Sequence, residues 1–312
     1  METMKAIRIH KYGGSDALVL EDVPRPGVTD DDVLVKVYAA AVNPLDWKVR
    51  AGYLEDMLPI KLPIVPGWDF SGVVVEAGSS VTGLKPGDEV YALSDITRDG
   101  SYAEYIAVKA GIVAKKPRSV DHIQAASVPL AGLTAWQALY DVGGLEGGQR
   151  VLIHAAAGGV GSFAVQFAQN RGAYVIGTAS AINRDYLLKL GADEVIDYTT
   201  APFDEAVQDI DLVLDTMSGE VQERSWKVLR KGGILVSTLG PPDAGKALEH
   251  GAKGVPVFVQ PDSAQLAEIA QLIDSGSVRA NVTEVLPLEE AGRAHELSET
   301  HHVRGKIVLK VV

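Results

Sequence analysis

Apolar and polar positions along the 312-residue chain change their pattern near residue 122. Before that point, short apolar runs are separated by turns rich in Gly, Pro and Asp, as in a small barrel or sandwich. Those runs are Lys5–Ile9, Leu18–Leu20, Val33–Ala41, Gly72–Glu76, Glu89–Ala92 and Tyr102–Val108. From about residue 123, strand-like runs near 151, 175, 194, 212, 234 and 256 alternate with helical stretches. This alternation predicts a doubly wound parallel sheet. The tail from about 281 reads strand, helix, strand, with Pro287 suited to the first turn of the helix.

The sequence pattern predicts one βαβ unit between Val151 and Thr178. A short apolar strand leads into a glycine-rich turn, and a helix with an apolar stripe and a second strand follow. Ala156, Gly158 and Gly161 take the small positions of a G-x-G-x-x-G turn. The middle glycine lets backbone N–H groups approach a pyrophosphate, and the last lets the helix pack closely on the strand. The unit therefore predicts a dinucleotide-binding fold, with the pyrophosphate at the helix N-terminus.

The choice of dinucleotide depends on the end of the second strand. Folds that bind NAD carry Asp or Glu there, about twenty residues past the turn, for the ribose 2′-hydroxyl. Residues 178–184 contain no carboxylate, whereas Ser180 and Arg184 offer donors and positive charge to a 2′-phosphate. The alternative is that both side chains sit on a solvated loop. We favour NADP(H) as the cofactor.

Composition removes several classes of function. The net charge of −12 disfavours nucleic acid and anionic membrane surfaces as partners. No apolar run is long enough to span a bilayer, and the N-terminus shows no secretory pattern, so a cytoplasmic location is expected. Cysteine is absent, which excludes disulfides, thiol nucleophiles and thiolate metal ligands.

The densest polar chemistry of the first part lies in residues 43–53, which carry the signals of one short helix. Asn43 can cap it, and Gly52 can end it in a left-handed conformation. Asp46 and Arg50 are four residues apart and can pair. A capped, charged surface helix accounts for most of these residues. The two left with spare donors are Lys48 and Tyr53.

Several motifs occur in a fixed order along nearly the whole chain. They are Asn43–Asp46, Pro63–Gly72, Gly87–Val90, Ala131–Ala135, His154–Gly161, Leu190–Asp193 with Val195–Tyr198, and Gly305–Val308. Together they resemble the medium-chain dehydrogenase/reductase superfamily, and within it the zinc-independent quinone oxidoreductase branch. The resemblance implies a GroES-like catalytic domain (1–122 and 281–312), a Rossmann NADP-binding domain (123–280) and an active site between them. It also implies hydride transfer from NADPH to a quinone or an α,β-unsaturated carbonyl, and a homodimer.

The departures from zinc-dependent alcohol dehydrogenases are equally informative. Where those enzymes hold catalytic zinc, the resemblance places Asn43, Trp68 and Leu130, which cannot supply three protein ligands. The four-cysteine structural zinc lobe is missing too. No metal is therefore expected, and the oxyanion that forms on the reduced substrate needs organic donors.

Site residues follow from the resemblance. The catalytic set is Asn43, Lys48 and Tyr53, the last by a looser alignment. For the cofactor, Thr134 matches a threonine near the nicotinamide, and Leu239 and Gly240 match a loop beside it. The remaining cofactor residues are the turn Ala157, Gly158, Gly159, Val160 and Gly161, the 2′-phosphate contacts Ser180, Arg184 and Tyr198, and Phe258, which is as readily a wall residue.

Two other functions stay open. The chain could bind NADPH with little catalysis, as crystallin-like relatives do, or it could be a metal-assisted alcohol dehydrogenase with unorthodox ligands. We interpret His154 as a structural histidine, His301 and His302 as solvated, and Asp215 as the cap of a turn.

Overall fold

Strands dominate both ends of the chain, and a parallel βα alternation fills its middle. The computed structural model describes residues 2–312. The strands are β1 Thr3–Ile9, β2 Leu18–Pro24, β3 Asp32–Val42, β4 Asp69–Ala77, β5 Glu89–Leu93, β6 Tyr105–Lys109, β7 Ala114–Lys115, β8 Arg150–Ile153, β9 Tyr174–Ala179, β10 Glu194–Asp197, β11 Ile210–Asp215, β12 Leu229–Ser237, β13 Lys253–Pro256, β14 Val282–Pro287 and β15 Lys306–Lys310. The α-helices are α1 Pro44–Arg50, α2 His122–Ala126, α3 Pro129–Trp136, α4 Gly159–Asn170, α5 Arg184–Leu190, α6 Phe203–Ala206, α7 Gly219–Ser225, α8 Ala244–Glu249, α9 Ser263–Asp274 and α10 Ala291–Glu299. A π-helical turn, Gln137–Val142, follows α3.

The chain forms two compact units, the first built from residues 2–130 and 261–312. Its main sheet runs β14-β15-β3-β4-β5-β7, with β6 also paired to β3. Strand β3 is central and almost wholly buried, which is why its sequence is a near-continuous apolar run. Apolar side chains such as Val35, Phe70 and Leu309 fill the core of this β-rich unit.

The second unit, residues 131–260, contains a six-stranded parallel sheet in the order β10-β9-β8-β11-β12-β13. Strand order reverses between β8 and β11, as in a doubly wound fold. Leu152, Val213 and Leu235, from three of these strands, belong to one buried cluster with Trp226. The α/β fold class and the GroES-like and Rossmann-like architectures expected from the sequence are confirmed.

Some boundaries of the two units and of the secondary-structure elements differ from those that the sequence pattern predicts. Residues 123–130 and 261–280 group with the first unit, where the Tyr91 hydroxyl donates to the Leu266 carbonyl on α9. Pro287 ends β14 and precedes a 3₁₀ turn, so it lies before α10 and not in its first turn. Among residues 2–312, no helix combines the length and apolarity needed to cross a bilayer.

Candidate active site and cofactor site

The glycine turn after β8 has the steric features that its sequence predicts. Ala155 adopts a left-handed conformation (φ 46°), and Gly158 is the N-cap of α4. A Cβ on Gly161 would lie 2.4 Å from the Ala155 carbonyl oxygen, so only glycine allows this approach of helix to turn. No side chain of the described chain caps α4, which leaves the first backbone N–H groups available to an anion.

Most of the expected cofactor residues lie at one edge of the six-stranded sheet. Parallel strands end at a common edge, and the turn Ala157–Gly161 follows β8 there, beside the point where strand order reverses. The other residues at this edge are Ser180 after β9, Tyr198 after β10, Leu239 and Gly240 after β12, and Phe258 after β13. Ligands of doubly wound folds bind at such an edge.

Ser180 and Tyr198 directly follow the neighbouring strands β9 and β10, and Arg184 begins α5 between them in the chain. Asp197 pairs with Ala179, and the Tyr198 N–H donates to the Ala179 carbonyl (3.4 Å). Arg184 is exposed, and its Nη1 donates to the Val195 carbonyl (2.9 Å). This bond ties Arg184 to β10 and uses one of the five N–H donors of its guanidinium.

Three of the residues expected at the cofactor differ in their burial. Thr134 is buried on α3 and does not lie in a loop after a strand. Phe258 is 61% exposed and Leu239 is 46% exposed, so neither belongs to the core. Both offer apolar surface at the carboxyl edge of the sheet.

In the first unit, α1 brings Lys48 and Tyr53 to one aromatic side chain. The Lys48 ammonium lies 5.7 Å from the Trp47 ring centroid, and the Tyr53 ring meets Trp47 edge-on at 6.2 Å. Partial burial lowers the pKa of Lys48, which forms no ion pair with any residue from 2 to 312. Tyr53 is 71% exposed. Gly52 ends the segment with φ 84°, as its sequence predicts.

Asn43 takes part in a buried polar cluster with Asp69 and Lys306. The Asn43 Nδ2 donates to Asp69 Oδ2 (3.0 Å), and the Lys306 ammonium donates to Asn43 Oδ1 and to the Val42 carbonyl (3.0 Å). Lys306 Nζ lies 3.8 Å from Asp69 Oδ2. The Leu130 N–H donates to Asp69 Oδ1 (2.7 Å). Asn43 is 1% exposed, so its side chain serves this cluster, which leaves Lys48 and Tyr53 as the accessible donors of the catalytic set.

Burial and neighbouring charges shift the pKa values of Asp69 and Lys306 in opposite directions in this cluster. Burial raises the pKa of Asp69 to about 6, against the lowering effects of Lys306 and of the Asn43 and Leu130 donors. Burial lowers the pKa of Lys306, while Asp69 and Asp46 act to raise it. Burying either charge alone would destabilise the folded state, and the attraction between the two charges offsets part of that free-energy cost.

The residues at the expected zinc-ligand positions do not fit zinc. Asn43 Oδ1 accepts from Lys306, and Trp68 is buried with its Nε1 donating to the Arg98 carbonyl (3.4 Å). Leu130 has no donor atom in its side chain. Zinc in enzymes needs three nitrogen, sulfur or oxygen ligands with free lone pairs, whereas this site already holds an ammonium group.

The expected pair between Asp46 and Arg50 is wrong. Arg50 turns to α10, where it pairs with Glu299 and lies 3.4 Å from His295 Nδ1. Asp46 instead accepts from the Tyr102 hydroxyl (2.9 Å) and the Asn43 N–H (2.8 Å). Both residues are buried, so bonds to other elements replace the exposed i,i+4 contact that the spacing suggests.

The remaining polar candidates from the sequence are three histidines and Asp215. His154 is a buried structural histidine, as expected, with Thr178 Oγ1 at 3.1 Å and Ser225 Oγ at 2.8 Å. Burial lowers its pKa to about 4. Asp215 does cap a turn, since it accepts from the N–H groups of Met217 and Ser218. His301 and His302 are exposed, although the His301 ring meets Trp47 edge-on at 5.9 Å.

Asp69 and Lys306 were not singled out from the sequence for any chemistry, although both fall within motifs of the resemblance. A signal was present: each is a charged residue at the start of an otherwise apolar strand, before Phe70 and Ile307 respectively. Two such residues of opposite charge suggest a buried pair, but only the fold shows that they meet.

Comparisons with known proteins identify the family. Residues 29–118 match the alcohol dehydrogenase GroES-like domain family, and residues 190–309 match the family described as zinc-binding dehydrogenase. The chain is 36% identical to the NADPH-dependent alkenal/one oxidoreductase, chloroplastic, of Arabidopsis thaliana, with 98% of this chain and 79% of that protein aligned. It is 35% identical to the mitochondrial NAD(P)H oxidoreductase RTN4IP1 of Mus musculus, covering 99% of this chain and 89% of that protein. The quinone oxidoreductase structure from Coxiella burnetii superposes with a TM-score of 0.92 at 36% identity, over the full length of both chains.

The chain therefore belongs to the medium-chain dehydrogenase/reductase family. Within that family it falls among the quinone oxidoreductases and enone reductases.

Proposed function

We propose that this protein is an NADPH-dependent oxidoreductase that reduces quinones or α,β-unsaturated carbonyl compounds without zinc. The observation that carries the proposal is the Lys306 ammonium, which is buried against Asp69 and donates to Asn43, one of the positions where the resemblance places a zinc ligand. A positive charge supplied by the chain takes the place of the cation that those enzymes bind. The names of the relatives support the substrate class.

NADPH supplies the hydride when it is bound. The residues proposed to hold it are the turn Ala157–Gly161 for the pyrophosphate and Ser180, Arg184 and Tyr198 for the 2′-phosphate. Support comes from the open N-terminus of α4 and from the exposed Arg184 guanidinium, which is tied to β10 through the Val195 carbonyl. Thr134, Leu239, Gly240 and Phe258 complete the proposed set.

Reduction of either substrate class leaves negative charge on an oxygen atom, and catalysis requires donors placed for it. Lys48 fits this role because it is half-buried, has a lowered pKa and is not neutralised by an ion pair within residues 2–312. Tyr53 is exposed and its ring lies against the same indole ring, and its hydroxyl provides a second donor. Asn43 contributes by fixing the start of α1.

The test is NADPH oxidation against a panel of quinones, enals and enones. Lys48→Met should lower kcat by about 10²-fold, since the loss of one oxyanion donor commonly has that effect. Tyr53→Phe should lower it less, and both variants should retain NADPH affinity. Lys61→Met, an exposed lysine nearby in the chain, is the control and should match the wild type.

Unchanged turnover in both variants would remove Lys48 and Tyr53 from the mechanism. Tight NADPH binding without turnover on any acceptor would support the crystallin-like alternative instead.

The same proposal includes a homodimer in the cytoplasm. Strand β13 ends the six-stranded sheet, and its outer edge pairs with no strand in the described part of the chain, which leaves it open to a second copy. Light scattering on the purified protein measures the oligomeric state. The net charge of −12 supports a location away from anionic membrane surfaces, which cell fractionation tests.

A further inference from the structure

A chain of buried hydrogen bonds crosses the first unit and ends at Asp46. The Arg50 Nη1 lies 3.4 Å from His295 Nδ1, and His295 Nε2 lies 3.3 Å from the Tyr102 hydroxyl. Tyr102 is 2.9 Å from Asp46 Oδ2. All four side chains are buried, and they come from α1, from the segment before β6 and from α10.

The chemistry of these groups sets the direction of every bond. A guanidinium can only donate, so His295 Nδ1 accepts from Arg50. Burial, with a smaller effect from Arg50, lowers the pKa of His295 to about 3, so the ring is neutral and carries its proton on Nε2. His295 then donates to the Tyr102 oxygen, and the Tyr102 proton is directed at Asp46.

Tyr102 is fixed in place by its surroundings. A Cβ on Gly67 would lie 2.1 Å from Tyr102 Cδ1, so the ring packs directly on the Gly67 backbone. Gly67 has φ 79°, a conformation that also favours glycine. The hydroxyl therefore has little freedom to leave Asp46.

Asp46 receives two donors on a single oxygen, from Tyr102 and from the Asn43 N–H (2.8 Å). Its Oδ1 is buried and has no hydrogen-bond partner among residues 2–312. Burial raises the pKa of Asp46 to about 7, whereas the Asn43 and Tyr102 donors lower it. The carboxylate form near neutral pH thus depends on these two bonds.

We propose that Tyr102 and His295 are positioning residues for Asn43, which they hold through the carboxylate of Asp46. The proposal rests on the proposed function. The ionised carboxylate fixes the Asn43 backbone at the start of α1, and the Asn43 side chain bridges Asp69 and Lys306. When Asp46 gains a proton, both donors face a neutral carboxyl group in place of a charged one, so their hold on the start of α1, the helix that carries Lys48, weakens.

Two charged groups act on this carboxylate from neighbouring elements, Asp69 on β4 and Lys306 on β15, and both stay unchanged in the test. Arg50 on α1 and Glu299 on α10 pair with each other at the far end of the hydrogen-bond chain and are also unchanged. Asp69 acts to raise the pKa of Asp46, and Lys306 acts to lower it.

The experiment measures the Asp46 titration and the pH profile separately. The protein is labelled with ¹³C at aspartate carboxyl carbons, and Asp46→Asn identifies the signal. Tyr102→Phe should move the Asp46 titration upward by about 1 pH unit, because one of two bonds to the charged form is lost. The acidic limb of the pH profile of kcat/KM should move to higher pH with it.

His295→Leu should shift the Asp46 titration and the acidic limb in the same direction by less, and His295→Gln, which keeps an N–H donor, should restore wild-type values. Tyr105→Phe, which removes a hydroxyl from adjacent β6, should change neither.

An unmoved Asp46 titration in Tyr102→Phe would overturn the proposal, and so would a moved titration with an unmoved acidic limb. A uniform loss of activity at every pH would also contradict it, since that is the result of structural damage alone. Absence of NADPH turnover in the wild type would refute the proposed function, whereas the hydrogen bond from Tyr102 to Asp46 is tested by the titration alone. The titration, measured without substrate, shows which of the two ideas has failed.

Discussion

Replacing Lys306 by methionine removes the charge at the centre of the buried cluster while keeping most of the side-chain volume. The ammonium donates to the Val42 carbonyl and to Asn43 Oδ1, and it lies 3.8 Å from Asp69 Oδ2. Methionine therefore leaves two acceptors without a donor and one carboxylate without a cation. Lys306 is 4% exposed, so solvent offers little compensation for these lost contacts.

Removing one partner of a buried ion pair typically costs about 3–5 kcal/mol. For units of this size, each kcal/mol lowers the melting temperature by roughly 2–4 °C, so the variant should melt about 6–20 °C below the wild type. Lys310→Met changes an exposed lysine on the same strand and should leave the melting temperature almost unchanged.

The loss of stability caused by Lys306→Met should grow as the pH rises. The pKa of Asp69 is already raised to about 6, so its contribution to stability is present below the unfolded pKa and declines as pH rises through about 6. Lys306 lowers that pKa, so the variant raises it further and extends the decline to higher pH. The gap between wild type and variant should therefore be wider at about pH 8 than at about pH 6.

Thermal unfolding followed by circular dichroism gives these values directly. The double variant Asp69→Asn with Lys306→Met removes both charges and should recover part of the loss, because no unpaired carboxylate remains at that position. A Lys306→Met melting temperature equal to that of Lys310→Met at both pH values would refute the account of the cluster. The account would also be refuted if adding Asp69→Asn to Lys306→Met lowered the free energy of unfolding by as much as Asp69→Asn does in the wild type.

Two further predictions concern the cofactor edge. Arg184→Ala should weaken NADPH binding by about 10–100-fold, the effect of losing a charge-assisted hydrogen bond, and should weaken NADH far less. Isothermal titration with Lys189→Ala as control checks this, and equal losses for the two nucleotides would rule out a 2′-phosphate contact. Gly161→Ala should lower NADPH affinity by at least about tenfold, because the new Cβ would meet the Ala155 carbonyl at 2.4 Å and displace α4 from the turn. Gly245→Ala, on α8 of the same unit, is the control, and unchanged NADPH affinity in Gly161→Ala would show that the close approach is unimportant.

The parts of the molecule that were predictable from sequence are local. The turn around Gly161 follows from the size of neighbouring residues, and the strands on either side of it follow from unbroken apolar runs. The placement of Ser180 and Tyr198 at neighbouring strand ends is also predictable, because the ends of neighbouring parallel strands share one edge of the sheet.

The buried cluster could not be predicted in the same way. Lys306 is separated from Asn43 by 263 residues, and a lysine at the start of a strand ordinarily lies at the surface. The partners of Asp46 illustrate the same limit. Spacing favours Arg50, but α10 supplies Glu299 and His295 to Arg50, and Tyr102 reaches Asp46 from a distant segment.

The central claim is that this protein reduces its substrate without a bound metal, with Lys48 and Tyr53 as the donors to the substrate oxygen. The most direct measurement is elemental analysis of the purified enzyme combined with NADPH turnover before and after dialysis against a strong zinc chelator. The account predicts substoichiometric zinc and full turnover after dialysis. Stoichiometric zinc, with turnover lost on dialysis and restored by added metal, would contradict it.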